Sequence, residues 1–362
     1  MSSDKCSDKF KRVFFSMSMR FIVPVEHANM IGQIAETNIT KHRYIYVPVR
    51  VKDKYVLKKL PAISGQAVLN AFERALVDLA KEYKKEYEKK YNKKLLDEDC
   101  ERYNFIKHAN EESGQADDWI RKCIVEDVTG FLAPRAGLRK TSTVWFSYMV
   151  PDTEVGSAIL DYQMFTRYTQ ERQMIGQRES GHAVYRLSMF VDASRIGCAE
   201  DNGDALGNAD EKKLRIELTF KALKLMINGG YIGANKTRAL FNEYVNPQSF
   251  VITVSSPLPF MVNPAEGEDY IGLTIMRAQN FINELKDIGQ KIIIIYGNRE
   301  GKLAYKEEKT STNPEEKEGK KPEDKQVNKE ENNLQTQKKE DLNAAIDLAL
   351  ETILKWMGLS KS

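Results

Sequence analysis

A chain of 362 residues with 41% hydrophobic content can bury one large core or two ordinary ones, and no apolar run approaches the roughly 18 residues that would span a bilayer. The net charge of +3 averages unlike pieces: setting aside residues 306–362 leaves 44 cations against 39 acids, a mildly basic body whose charge does not by itself establish nucleic-acid binding. The opening "MSSDKCSDKFKR" lacks the apolar stretch and cleavage pattern of a secretory signal, which places the chain in the cytoplasm with no membrane partner, and the four cysteines at 6, 100, 123 and 198 have no C-x-x-C spacing and read as isolated reduced thiols.

The first element is a half-buried strand, with Val13, Phe15, Met17, Met19 and Phe21 on one face and Ser16, Ser18 and Arg20 opposite. "HANMIGQIAETNITKHR" shows no sustained period and sets Lys41, His42 and Arg43 side by side. "YIYVPVRV" is extended, and Pro48 argues for an edge position. Ser64 is a good N-cap for a long helix carrying Leu69, Phe72, Leu76, Leu79, Tyr83 and Tyr87, whose lysine-rich second half leaves the core. Residues 92–125 look helical and polar, and 143–150 reads as a strand. Residues 153–183 give no element. A strand follows at 184–192, with Tyr185, Leu187, Met189 and Val191 inward. An amphipathic helix over 210–227 ends at Gly229 and Gly230. Strands at 249–256 and 291–297 flank a helix. Residues 306–340 are more than half charged and read as a disordered linker or insertion, and residues 341–362 regain a helical stripe that docks on the body.

The order strand, helix, strand, strand, helix, strand over 13–256 predicts an α+β protein with a ferredoxin-like, RNA-recognition-motif (βαββαβ) core interrupted by large insertions. In such folds the open sheet face or its crossing loops hold single-stranded nucleic acid, although fold alone does not establish function.

Three stretches carry candidate chemistry. "GYIGANKTR" is one residue short of a nucleotide-binding loop, but a helix precedes it and Asn235 replaces the glycine that lets backbone approach phosphate. A basic turn offering Lys236 and Arg238 to a phosphodiester backbone fits better than a nucleotide pocket, with a plain Gly-rich connection still open. In "DYQMFTRYTQERQMIGQR", aromatic residues interleave with Arg167, Arg172 and Arg178, as stacking on bases and pairing with phosphates require; a hairpin packed on the body is the alternative. "PAISGQAV" exposes helix N–H groups beside Gln66, which suits either an anion or an ordinary cap. Catalytic patterns are poor. The four histidines are far apart, "DEDCE" suits the exposed end of a charged helix better than a metal cluster, and no catalytic residue, metal or cofactor is expected.

Four segments, "FIVPVEHANMIGQIAETNITKHR", "LPAISGQAVLNAFERAL", "FTRYTQERQMIGQRESGHAVYRLSMFVD" and "GGYIGANKTRALF", resemble in this order the CRISPR-associated DevR-type (Cas-seven, Csa-type) family, the backbone subunit of type I-A Cascade complexes. The resemblance implies a palm of RNA-recognition type, a helical finger near 81–142 and a thumb near 153–183, all within a body of residues 1–305. It implies palm contacts to guide RNA from Asn29, Lys41, His42, Arg43, Ser64, Gly65 and Gln66. It implies a thumb from Met164 to Arg178, including Phe165, Arg167, Arg172 and Met174, and further contacts from Asn235, Lys236 and Arg238. The implied partners are CRISPR guide RNA, target DNA paired to that guide, further copies of the chain in a helical filament, and Cas-five-type Cascade subunits. The implied role is a non-catalytic scaffold; the alternative is a guide-processing endoribonuclease using His27 or His42.

Overall fold

The computed structural model describes residues 5–22, 25–26, 29–34, 37–41, 43–168, 173–201, 203–232, 246–305 and 333–360. A one-turn helix α1 (Cys6–Lys9) precedes β1 (Phe14–Ile22), the two-residue β2 (Val25–Glu26) and two hairpins, β3 (Asn29–Ile34) with β4 (Thr37–Lys41) and β5 (Arg43–Val51) with β6 (Lys54–Ala62). Ser64 then caps the long helix α2 (Gly65–Tyr91), its hydroxyl accepting the Ala67 N–H at 3.2 Å. Short helices α3 (Glu98–Glu101), α4 (Ala116–Lys122) and α5 (Ile124–Thr129) follow, then the small hairpin β7 (Phe131–Ala133) and β8 (Leu138–Lys140). Next come β9 (Val144–Phe146), β10 (Val150–Pro151), the hairpin β11 (Ile159–Tyr168) with β12 (Gln173–His182), and β13 (Val184–Asp192). The chain closes with α6 (Ala209–Asn228), β14 (Asn246–Ser256), α7 (Tyr270–Glu284), β15 (Lys291–Asn298), β16 (Leu334–Lys338) and α8 (Leu342–Met357).

The main sheet runs β10–β13–β1–β14–β15–β16, with β9 also on β13; every pairing is antiparallel except β15 with β16. The period-2 pattern of β1 puts Phe15, Met17, Met19 and Phe21 into one core with α2, α6 and α8, contributed by Val68, Phe72, Leu76, Phe220, Leu223, Ile346 and Ile353. On β14, Phe250, Ile252 and Val254 join that core, while Val251 faces a second one with Phe260, Val262, Tyr270, Ile271 and Ile282. The four-isoleucine run of β15 has no alternation because it is buried on both faces, as its sequence suggests.

Several expectations need correction. Ser16, Ser18 and Arg20 are not on a solvent face; all are buried. The polar helix expected over 92–125 is confined to α3 and α4, and Tyr103, Lys107 and His108 take positive φ between them. The strand at 143–150 splits into β9 and β10 because Ser147 Oγ accepts the Ser188 N–H at 2.9 Å, taking a place in the ladder. The stretches read as aperiodic, 29–41 and 159–182, are hairpins. Residues 334–338, inside the presumed linker, form β16: the open edge of β15 offers backbone partners that a polar strand can satisfy. The remaining residues of that tract up to 332 lie outside the described residues.

The cysteines are also paired in space. Cys6 and Cys198 form a disulfide across 192 residues, and Cys100 and Cys123 are buried free thiols. A bridge between such distant positions leaves no local spacing to read. A satellite core of Trp119, Ile120, Phe131, Ala133, Ala199 and Ala205 sits under the α4–β8 region. Beside it, fully buried Asp127 accepts from Lys140 Nζ at 2.6 Å, Arg215 at 3.0 Å and the Gly197 N–H at 2.8 Å. Burial alone would raise the Asp127 carboxyl, but Lys140 and Arg215 hold it below its ordinary range.

Candidate nucleic-acid interface

Three of the segments singled out in the sequence leave the main sheet at one end. Ile22, the last residue of β1, pairs with Val184, the first of β13, and with Asn246, the first of β14. The chain beyond Ile22 leads to the 29–41 hairpin. The chain before Val184 is the β11–β12 hairpin, whose base is tied back by Ser180↔Glu26 and Gly181↔Val25. The chain before Asn246 includes Asn235, Lys236 and Arg238 in sequence. Phe21 of β1, Val68 of α2 and Ile227 of α6, with Met149 before β10 and Ile232 after α6, line one apolar contact region.

Pairing also places several of the other positions singled out in the sequence. Asn29 stands opposite Lys41 in the β3–β4 ladder, and two residues on Arg43 stands opposite Ala62 at the base of the next hairpin. Ile63 then bridges to Met149, and Ser64 opens α2. Ser64 acts as a helix cap, so the ordinary capping role holds for its hydroxyl. Gly65 is required by packing, since a Cβ there would stand 2.4 Å from the Phe146 carbonyl oxygen. Gln66 is exposed on the first turn. In the β11–β12 ladder, Phe165, Arg167, Met174 and Arg178 occupy register positions of one parity and Met164 the other, with Arg167 directly opposite Met174. His27, His42, Arg172, Asn235, Lys236 and Arg238 lie outside the described residues.

One surface escaped the sequence reading. The β5–β6 ribbon carries six cations (Arg43, Arg50, Lys52, Lys54, Lys58 and Lys59) against Asp53 alone. It exposes Tyr46 at 66%, Tyr55 at 75% and Leu57 at 66%. Its register places Tyr46 opposite Lys59 and Tyr55 opposite Arg50, so aromatic and cationic residues alternate along one face. The cation-and-tyrosine alternation was present in "RYIYVPVRVKDKYVLKK", but it became a surface only once the second strand was placed.

The sheet face that an RNA-recognition fold would leave open is closed. The segment after β14 crosses it: the Val262 N–H donates to Ser16 Oγ at 3.2 Å and the Ala265 N–H to Ser18 Oγ at 2.8 Å. Arg20, the third residue of this face, is fully buried and pairs with Asp152 at 2.8 Å and Glu300 at 2.8 Å, while donating to the Gly267 carbonyl at 2.8 Å. Burial opposes its charge, but Glu300 and Asp152 raise its affinity for the proton above the ordinary value. The polar face of β1 is therefore covered by protein and offers no open surface.

The "DEDCE" stretch is not simply the exposed end of a helix. Asp97 caps α3 by accepting the Cys100 N–H at 2.7 Å, and Cys100 is buried. His108 Nε2 lies 2.9 Å from Glu126, and its ring stacks on Trp119 at 4.0 Å. This cluster lies in the 92–130 region, away in sequence from the hairpins above. Among the described residues, no helix is long and apolar enough to cross a membrane.

The architecture defines a mixed α/β protein with a central sheet covered on both faces, in which β1, β13 and β14 meet at one end at Ile22, Val184 and Asn246. The chain belongs to the CRISPR-associated DevR/Csa2 family: the family model described as "CRISPR-associated negative auto-regulator DevR/Csa2" matches residues 17–275. It is 30% identical over 289 residues to the "CRISPR-associated aCascade subunit Cas7/Csa2 2" of Saccharolobus solfataricus, covering 72% of this chain and 85% of that protein. It is 26% identical over 286 residues to the "CRISPR-associated protein Cas7/Cst2/DevR" of Methanocaldococcus jannaschii, covering 71% and 84%. A chain of a solved "CRISPR RNA-guided surveillance complex, pre-nicking" aligns over 94% of this chain and 100% of its own, with 11% identity and a TM-score of 0.46.

Proposed function

We propose that this chain is a non-catalytic guide-RNA-binding scaffold subunit of a type I-A Cascade complex. Copies polymerise along the guide and hold it for pairing with target DNA, beside Cas-five-type subunits. The observation that carries this reading is the pairing of Ile22 with Val184 and Asn246, which sets the strand ends next to the β2–β4 segment, the β11–β12 hairpin and the chain preceding Asn246 at one end of the sheet. Family membership and the aCascade relative support the same role.

On this reading, Asn29, Lys41, His42, Arg43 and the Ser64–Gln66 turn meet phosphates, as do Lys236 and Arg238. The thumb from Met164 to Arg178 wedges between bases. The core β1–α2–β9/β10–β13–α6–β14 is ferredoxin-like in this account, which its antiparallel order β10–β13–β1–β14 supports. Phosphate contacts position the strand and base pairing reads the sequence, so the subunit accepts any guide.

The test is the mass of complexes formed with single-stranded RNAs of increasing length. The scaffold reading expects the number of bound copies to rise with RNA length, with no cleavage. Copy number independent of RNA length, or metal-independent cleavage of repeat RNA, contradicts it.

A further inference from the structure

We propose that Asp97, Cys100 and Cys123, with His108 as fourth donor, form a binding site for a zinc-class divalent cation. Twenty-two residues separate the two cysteines, and the fold closes that gap. Asp97 begins α3 and sets Cys100 within its first turn, while Cys123 sits at the junction of α4 and α5. The Ile124 N–H donates to the Leu95 carbonyl at 2.9 Å and ties the two segments together.

One potential ligand atom from each of Asp97, Cys100 and Cys123 lies within 4.8 Å of the others, and the same holds for Asp97, His108 and Glu126. Asp97 belongs to both groups. Tetrahedral zinc, with bonds of about 2.0–2.3 Å, brings its donors within about 3.3–3.8 Å of one another, so small adjustments suffice for Asp97, Cys100 and Cys123, and His108 joins them by moving in from its place beside Asp97. Two thiolates, an imidazole and a carboxylate are a donor set for zinc rather than for calcium or magnesium, which take oxygen. Binding exchanges the two thiol protons for the metal.

Buried cysteines often serve as small apolar side chains. The surroundings of this pair are not those of an apolar core. Cys100 and Cys123 are 1% and 0% exposed, yet they adjoin the Asp97 carboxylate, and Glu126, 2% exposed, stands with His108 in the other group that Asp97 joins. Asp127, one residue along, is neutralised by both Lys140 and Arg215. Among the described residues neither Asp97 nor Glu126 has a lysine or arginine ion pair, and His108 is the one side chain that can carry positive charge to them. A divalent cation supplies the missing compensation. Glu126 and Trp119 already orient the His108 ring, in the manner of the outer partners of metal-bound histidines. The site would pin the 97–123 segment beside α5, and it lies apart from the hairpins proposed to meet RNA.

The experiment uses the full-length chain, stripped with a chelator and titrated with cobalt(II) and then zinc under conditions that keep Cys100 and Cys123 reduced. The expected result is one equivalent of cobalt with the thiolate charge-transfer band in the near ultraviolet, displaced by zinc, and a zinc-dependent rise in the thermal midpoint. Cys100→Ser and Cys123→Ser each lose the band, and Glu126→Gln weakens zinc binding by about 10–100-fold. The wild-type spectrum decides the matter even where a variant folds poorly. No thiolate–cobalt band in the wild type, a band that survives in the Cys100→Ser/Cys123→Ser double variant, or a native disulfide between these two cysteines overturns the proposal.

Discussion

Gly65 and Phe146 are in direct backbone contact: a methyl group on the glycine would stand 2.4 Å from the phenylalanine carbonyl oxygen. The first turn of α2 therefore rests on β9 with no room for a side chain, and the glycine of "SGQ" is fixed by packing whatever the turn binds. Gly65→Ala should cost about 1–3 kcal/mol by overpacking, read as a lower urea midpoint. An unchanged midpoint would mean that the glycine is there for a ligand alone.

Arg20 has a similar position beneath the segment that closes the sheet face. Arg20→Met removes the cation from between Asp152 and Glu300 and leaves both carboxylates facing a buried, unpaired site. The expected loss is about 3–5 kcal/mol in denaturant unfolding, the usual cost of breaking one side of a buried pair. A loss below about 1 kcal/mol would show that the polar face of β1 is open to water after all.

Much of this fold could be read from the sequence, and the limits have physical causes. Period-2 alternation in β1 and β13, the 3.6-residue stripe in α6 and the Ser64 cap all act within one element, so their residues announce it. The β3–β4 and β11–β12 hairpins did not announce themselves. Their residues alternate poorly because a two-stranded ribbon lacks the deep core that imposes alternation on a central strand. Ser16, Ser18 and Arg20 look like a solvent face because polar partners that bury them, such as Val262, Ala265 and Glu300, lie more than 200 residues away. A separation of 192 residues likewise hid the Cys6–Cys198 bridge. For the candidate site, the sequence offered residue types, whereas the meeting of β1, β13 and β14 at Ile22 needed the sheet order.

Lys212 gives a pH signature. Its Nζ donates to the Ser194 carbonyl at 2.8 Å and the Ile196 carbonyl at 2.5 Å in a buried pocket, and burial lowers it from 10.5 to about 8 against the pull of Asp127, with Lys140 adding to the decrease. The folded chain thus releases this proton more readily than the unfolded chain. The penalty is complete below about pH 8 and disappears as pH rises toward 10.5, a change of about 3 kcal/mol in favour of folding. Stability measured from pH 7 to 10 should therefore rise in wild type relative to Lys212→Met. Parallel curves would show that Lys212 keeps its ordinary proton affinity.

The β5–β6 ribbon predicts a separable effect. Tyr46 and Tyr55 are 66% and 75% exposed, so Tyr46→Ala and Tyr55→Ala should move stability by less than about 0.5 kcal/mol. If bases stack on them, each substitution weakens single-stranded RNA binding by about 1–3 kcal/mol, measured by fluorescence anisotropy. Unchanged RNA affinity in both variants would remove the ribbon from the interface.

The most direct test of the guide-binding account is the salt dependence of single-stranded RNA affinity in wild type and in Lys236→Ala/Arg238→Ala. Each phosphate contact to a single strand contributes about −0.7 to the slope of log K against log salt, so losing two should flatten the slope by about 1.4 while leaving the lack of sequence preference intact. Identical affinity and slope in the two proteins would contradict the account, because Lys236 and Arg238 would then touch no RNA backbone.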